Sequence, residues 1–396
     1  MTRPEIPSRQ TLSRRTRTAA AIGLGAAGLL APVLSEFRVR RAARPLTGRW
    51  ERQPVLPRRQ TKLGLSFRPL QAESLGLDPD ETLRTLVEYP FEVIRLAAYW
   101  DRLVLATGKY RTDELDRQLD IAEGAGKRII LSLGPVKNFG YPEFFVPPHH
   151  LLTPLPEGEL VAPTHPLLRT SIDYLVHLVE RYKNRPAIMA WQVEHEATDP
   201  LGMEHSWRLS AGFVQQEVAA VRAADPTRPV LMNGFLPTST LVNAQQWWRT
   251  RDQGDSLDAA MRFADIVGID FYPRHALVNV RGRTLYLEGA NRPWQQSRRR
   301  KLLEWAAENG RQLMITEGQA EPWETVTVPP NPRSHGMYSC LPENIIGNYN
   351  HCIRWNQGLR PGLSAYLFWG AEYWLLRQHN GDPTYLRAFS KILEQA

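Results

Sequence analysis

From Lys62 to the C-terminus, short apolar runs alternate with longer stretches of helical period. Runs of four to eight residues rich in Val, Ile, Leu and aromatics read as buried strands. They fall at Leu63–Phe67, Val93–Tyr99, Arg128–Leu133, Ile188–Val193, Val230–Asn233, Ile266–Phe271, Gln312–Thr316 and Ser364–Phe368. Between and after them lie amphipathic patterns at Pro79–Glu88, Thr112–Glu123, His165–Tyr182, Ser206–Ala224, Ser256–Phe263, Trp294–Asn309, Pro342–Gln357 and Pro383–Glu394. Strict strand and helix alternation without a shift in composition predicts an α/β fold with a parallel sheet. Eight units favour a closed (β/α)8 TIM barrel over an open doubly wound sheet, and no Gly-rich phosphate loop follows the first strand.

Before Lys62 the pattern changes. Arg14-Arg15 precede an uncharged Ala-, Gly- and Leu-rich stretch, Thr18–Ser35. A basic pair before an apolar run is the pattern of an export signal, here of twin-arginine type, or of an anchor. We therefore expect residues 1–44 to be a signal or anchor segment, 45–61 a linker rich in Pro and Arg, and 62–396 a single catalytic barrel. The protein is expected to be exported, or held at a membrane through residues 18–35. The same division explains the charge. The net charge is +8, with 49 basic and 41 acidic residues, but 14 of the basic and only three of the acidic residues lie in 1–62. The remainder, with 35 basic and 38 acidic, lacks the basic body that a nucleic-acid binder shows.

A barrel places its chemistry at the C-terminal ends of its strands. Those ends carry Arg95 with Trp100, the segment Trp191-Gln192-Val193-Glu194-His195-Glu196, Asn233, Asp270-Phe271-Tyr272, Thr316-Glu317-Gly318 and Phe368-Trp369-Gly370. The loop after the third strand, Gly134–Pro163, is long and aromatic, as functional loops often are. Carboxylates, amides, one Arg and aromatic faces form the set a sugar requires, with no Ser/His/Asp triad. Twelve Trp in the chain suit sugar stacking, although core packing accounts for them equally well. Glycoside cleavage needs two carboxyl groups on either side of the bond, one protonated and one ionised. Glu196 and Glu317, on strands across the mouth from one another, are the natural pair, with Glu194 a rival for the acid. His195-Glu196-Ala197-Thr198-Asp199 begins like a zinc helix motif, but Asp199 stands where the second His belongs. No metal or cofactor is expected. Cys340 and Cys352 leave both a disulfide and two free thiols open.

These segments resemble the clan A glycoside hydrolases, a superfamily of retaining (β/α)8 enzymes. Trp191 to Glu196 is similar to the fourth-strand motif ending in the acid/base Glu, and Ile315-Thr316-Glu317-Gly318 to the seventh-strand motif holding the nucleophile. Arg95, Tyr272 and Trp369-Gly370 match the clan's second-, sixth- and eighth-strand positions in order, and the two glutamates are 121 positions apart. The resemblance implies that Glu317 attacks the anomeric carbon while Glu196 donates a proton. Tyr272 and Arg95 would hold the nucleophile, and Trp369 would floor the sugar subsite. His195 stands where the clan has Asn, which normally binds the hydroxyl beside the anomeric carbon, so the substrate is left open. Two other readings share the fold: a transglycosylase, and a silent carbohydrate-binding barrel, which would be expected to lack one of the glutamates.

Overall fold

The computed structural model describes residues 33–41, 48–151, 155–156, 158–200, 207–281, 283–289, 293–322, 339–356 and 362–396. Eight parallel strands close into a barrel: Lys62–Ser66, Val93–Ala97, Arg128–Ser132, Ile188–Gln192, Val230–Phe235, Ile266–Phe271, Gln312–Gln319 and Leu363–Trp369. Each pairs with its sequence neighbours, and the eighth closes on the first through Ala365 opposite Lys62 and Trp369 opposite Ser66. The expected strands are these, shifted by a residue or two at their ends except the seventh. That strand runs three residues further, because its register slips between Ile315 and Glu317 against the sixth strand. Such a bulge re-aims the side chain beside it, here Glu317.

Alternation along the strands divides the core. Val93, Ile130, Ala190, Leu231, Ile266, Met314, Ala365 and Leu367 plug the barrel interior. Their alternates pack outward on the helices in one large cluster. A third cluster, Ala97, Tyr99, Phe139, Phe145 and Trp369, lies at the mouth. The helix Pro79–Val87 starts where expected, with Asp78 accepting from the amide of Glu81. The helix expected from Ser206 starts instead at Ala211, capped by Ser210. Arg208–Leu209 is extended and pairs with Leu160–Val161 of the third loop. Helices at Pro69–Ser74, Trp100–Leu103, Thr240–Thr250 and Ala371–His379 were not foreseen. The first two are too short, at six and four residues, to show a period.

Described parts of the N-terminal region, within the expected signal or anchor segment and linker, pack on the folded body. Of Thr18–Ser35 only the last three residues are described. Phe37–Arg41, placed by the sequence reading within the signal or anchor segment, is a strand. It pairs antiparallel with Arg283–Glu288, the second strand of a hairpin whose first is Arg274–Val280. Arg49–Arg52 forms a helical turn with Trp50 buried. Asn350 brackets the following chain, accepting from the amide of Leu56 at 2.8 Å and donating to the carbonyl of Pro54 at 2.7 Å. The Tyr349 hydroxyl also donates to the Leu56 carbonyl and Lys391 Nζ to the carbonyls of Trp50, Glu51 and Gln53, and these bonds with the buried Trp tie down what composition reads as a linker.

Candidate active site

Glu317 lies two residues before the end of the bulged seventh strand, with only 3% of its surface exposed. Arg95 Nη1 donates to its Oε1 at 2.9 Å and the Tyr272 hydroxyl to its Oε2 at 2.6 Å. Both oxygens thus accept from fixed donors, one of them a buried guanidinium, so the bond to Arg95 is charge-assisted. Arg95 is itself locked. Its Nε donates to Gln192 Oε1 at 2.7 Å, and its guanidinium lies 3.9 Å from the centre of the Phe139 ring.

The fourth strand ends differently. Glu194 and Glu196 both adopt left-handed backbone, with φ of 56° and 44°. For non-glycine residues this costs roughly 1–2 kcal/mol each, so surrounding bonds must hold them. They are present. Glu194 accepts from the amides of Val136 and Lys137 at 3.1 and 2.5 Å. Buried Lys137 donates through Nζ to the carbonyls of Glu196 at 2.6 Å and Asp199 at 2.9 Å. Glu194 is therefore committed to the third loop, and Glu196 is the carboxyl left to the site. Asp199, the residue that broke the zinc pattern, is taken up by Gln246 Nε2 at 3.0 Å.

Glu196 is 7% exposed. Burial, then the charge of Asp270, then Asp199, Glu143 and Glu317, push its carboxyl well above the ordinary range. Asp270 is also raised, by burial and Glu317. It nevertheless receives hydrogen bonds from Asn233 Nδ2 at 2.5 Å and Thr316 Oγ1 at 2.7 Å. One nitrogen of His195 and one oxygen each of Glu196 and Asp270 lie within 4.8 Å of one another. Two carboxylate charges at that separation would repel by about 3–4 kcal/mol at an effective dielectric of 20. The pair therefore keeps a proton. With two donors already on Asp270, that proton resides on Glu196, which donates it to Asp270.

His195 is held neutral by burial and by the charges of Arg95 and Lys137. Asn233 Nδ2 is 2.9 Å and Arg95 Nη2 3.4 Å from its Nδ1. The orientation of Asn233 is fixed because its Oδ1 accepts from Gln192 Nε2 at 3.0 Å. Two donors at Nδ1 make that nitrogen the acceptor and put the ring proton on Nε2. Neutral His195 thus retains an N–H to offer, as an Asn would. Its Nδ1 is also 3.7 Å from Glu317 Oε1, so the one ring stands between the two carboxyls.

His195, Glu196 and Asp270 form a grouping the sequence reading did not anticipate, having expected no metal site. Its nitrogen and two carboxyl oxygens suit a divalent cation in type. However, the guanidinium beside His195 and the donors already on Asp270 and Nδ1 suit a shared proton better.

Of the sequence candidates, the structure brings together Glu196, Glu317, Arg95, His195, Tyr272, Asn233 and Trp369. Asn233 is fully engaged with His195, Asp270 and Gln192, so it positions neighbours. Trp369 stands in the mouth cluster, with the Arg68 guanidinium 4.3 Å from its ring centre. Gly370 follows at φ 126°, where a Cβ would meet Glu321 at 2.4 Å. Trp100 is a correction. It turns into the helix layer and stacks on Tyr174 and His150 at 5.2 and 4.8 Å, away from the mouth cluster, because the short helix it starts rotates it off the strand end. Cys340 and Cys352 are both buried and are not joined by a disulfide.

Sequence reasoning missed Glu143, Lys137 and Arg68. Glu143, in the third loop, is pushed up to about 8 by burial and the charge of Glu317 against the pull of Lys137. Arg68 meets Glu321 and Glu372 at 2.7 Å each beneath Trp369. Its place just after the first strand was the available signal.

No protein-family model matches the chain, and no curated protein matches it in sequence. Solved structures do match its shape. A GH10 endoxylanase from a sugarcane soil metagenome superposes with a TM-score of 0.51 at 15% identity, covering 84% of this chain and 98% of its own. A cold-adapted β-galactosidase from Rahnella sp. R3 gives 0.51 at 12% identity over 85% of this chain and 55% of its own. An exo-β-1,4-mannosidase from Opitutaceae bacterium strain TAV5 gives 0.50 at 15% over 78% and 51%. The chain thus spans about half the length of the latter two. With this shape and an eight-stranded parallel barrel, the chain has a (β/α)8-barrel fold like that of these glycoside hydrolases.

Proposed function

We propose that this protein is a retaining glycosidase in which Glu317 is the nucleophile and Glu196 the acid/base. The observation that carries the proposal is the opposite setting of two neighbouring buried carboxyls. Glu317 receives a guanidinium and a phenol, whereas Glu196 sits among carboxyls and keeps its proton. Double displacement needs this asymmetry.

In the first step a Glu317 oxygen bonds to the anomeric carbon as the bond to the leaving oxygen breaks. The Glu196 proton passes to that oxygen. In the second step Glu196, now ionised, takes a proton from water, the water oxygen bonds to the anomeric carbon, and Glu317 leaves as carboxylate. Tyr272 and Arg95 hold Glu317 along the line of attack. The Nε2–H of His195 replaces the clan's amide as donor to the neighbouring sugar hydroxyl. Trp369, Tyr99 and Phe139 supply apolar faces for the ring. The substrate is a carbohydrate whose identity is open, since the neighbours in shape act on different sugars by their names.

The test is to follow the anomeric proton of an aryl glycoside by NMR during turnover, after an activity screen finds a substrate. The first-formed product should keep the substrate's configuration. A slow 2-fluoro glycoside should leave a sugar-mass adduct on the peptide holding Glu317. An inverted first product, or an adduct elsewhere, would refute the assignment.

A further inference from the structure

The sheet formed by Phe37–Arg41 and the hairpin Arg274–Glu288 plays no part in this chemistry. In its hairpin strand Arg283–Glu288, Thr284 and Tyr286 are buried, so they face the body. The alternates Arg283 and Leu285 then face outward. Val39 and Val278 stand directly beside Leu285 on either side, and Val280 beside Arg283. Cross-strand neighbours share a face, so Val39, Leu285, Val278 and Val280 form one outward apolar stripe. Exposures of 65% at Val39, 46% at Val278 and 59% at Val280 agree. Toward its base the stripe is covered, since Leu287 is buried.

A second exposed patch is tied rigidly to the first. The carboxylate of Glu36, just before the N-terminal strand, accepts from Ser239 Oγ at 3.0 Å, the Thr240 amide at 2.9 Å and Thr240 Oγ1 at 2.6 Å. It thereby fixes the strand to the start of the helix Thr240–Thr250. That helix exposes Leu241 and, two turns on along the same side, Trp248 at 61%, with Trp247 beside it. Nine large apolar side chains are exposed among the described residues. Four lie in this sheet, one (Leu34) just before it and three on this helix.

The charges around these patches are mostly basic, and the exposed Asp252 beyond the helix is paired with Arg208 at 2.8 Å. Arg38, Arg281 and Arg283 on the sheet and Arg249 and Arg251 on the helix are exposed. Glu288, at the base, is paired with Arg274 at 2.7 Å. Valines and tryptophans ringed by arginines suit the boundary between anionic headgroups and acyl chains. The sequence supplies the direction of approach. The uncharged stretch Thr18–Ser35 ends at the residue before Glu36. A bilayer that takes up that stretch therefore lies next to the sheet.

We infer that this face of the folded body docks on an anionic lipid surface. The sheet is rooted two residues beyond Tyr272, so docking would hold the barrel mouth beside the membrane.

The experiment uses the full chain carrying V278C, labelled with an environment-sensitive NBD fluorophore. Both native thiols are buried, so labelling is selective. Vesicles of phosphatidylcholine with phosphatidylglycerol should brighten the label and shift its emission to the blue, and phosphatidylcholine alone should do so less. A label at exposed Lys109, in the loop after the second barrel strand, should not respond. V39C serves if V278C does not fold. A chain that floats with vesicles while the label at 278 stays in water would show that the N-terminal stretch alone holds it, and would overturn the inference. So would a failure to float, an equal response at position 109, or a shift that grows with protein concentration without lipid, which would mark a second copy as the occupant. In the same assay V278E should weaken the label response at V39C roughly tenfold, the effect of taking one Val-sized contact out of the apolar layer.

Discussion

The ends of the fourth and seventh barrel strands carry the same residue type, and the fold treats it in opposite ways. At the seventh strand a bulge turns Glu317 toward Arg95 and Tyr272, and each of its carboxyl oxygens accepts a hydrogen bond from one of them. At the fourth, two left-handed residues bring Glu196 against Asp270, and the charges that act most on its carboxyl are those of other carboxyls. Burial raises the Glu196 carboxyl, and the carboxyls around it raise it further. The cation and the phenol set one apart from the other, which is the general means by which a fold makes an acid and a base from two glutamates. The comparison also explains why so many polar groups lie under the pocket. Arg95, Gln192, Asn233 and His195 form one chain of hydrogen bonds that fixes both ends at once.

The strongest challenge to that contrast is at Glu317. E317Q keeps the shape but removes the nucleophilic oxygen, and kcat should fall roughly 10⁴-fold or more with the circular dichroism spectrum unchanged. Near-normal turnover would end its role. E196A should cost about 10²–10⁴-fold on substrates with poor leaving groups and far less on activated aryl glycosides, because only the former need the proton. Equal losses on both classes would remove Glu196 as acid.

D270N probes the contrast more finely. The Asp270 charge raises Glu196, and Glu196 works while protonated. Activity is therefore present below the raised value and lost as pH climbs through it. Without that charge the alkaline limb of kcat/KM should move toward acid by about one pH unit or more. A profile that keeps its alkaline limb while losing height would make Asp270 a packing residue.

Most of the barrel was legible because its strands are buried on both faces and read as continuous apolar runs, such as Ile266–Phe271. The candidate pair stood out in the sequence because strand ends are few and carboxyls at them fewer. What could not be read was set by contacts distant in sequence. Glu143 matters only because the third loop folds back over the pocket, and Asp270 only because Glu196 arrives beside it. Trp100 reads as a strand-end aromatic until a four-residue helix rotates it into the core. The N-terminal strand is arginine-rich and short, and its partner lies some 245 positions away in a hairpin that alternation does not distinguish from a loop. Glu36, an isolated acid in a basic arm, was the one local hint that this stretch has a partner.

The smallest effect concerns the carboxyl beneath the fourth strand. Glu217 is fully buried and faces Glu194. Burial and the charge of Glu194 hold it well above the ordinary range, while burial lifts Glu194 itself only to about 7, against two backbone amides. Glu217 is thus neutral in the folded protein at neutral pH but ionised in the unfolded chain. Its folded value lies above its unfolded one, so the stability it lends is full below the ordinary carboxylate range and is lost as pH rises toward the raised value. Glutamine is neutral in both states and escapes that loss. E217Q should gain about 1–3 kcal/mol of unfolding free energy in urea near pH 7.5, and near pH 4 should match the parent or fall below it. A gain of equal size at both pH values would mean that packing, not the proton, decides at this position. The fourth strand would then hold Glu196 by shape alone.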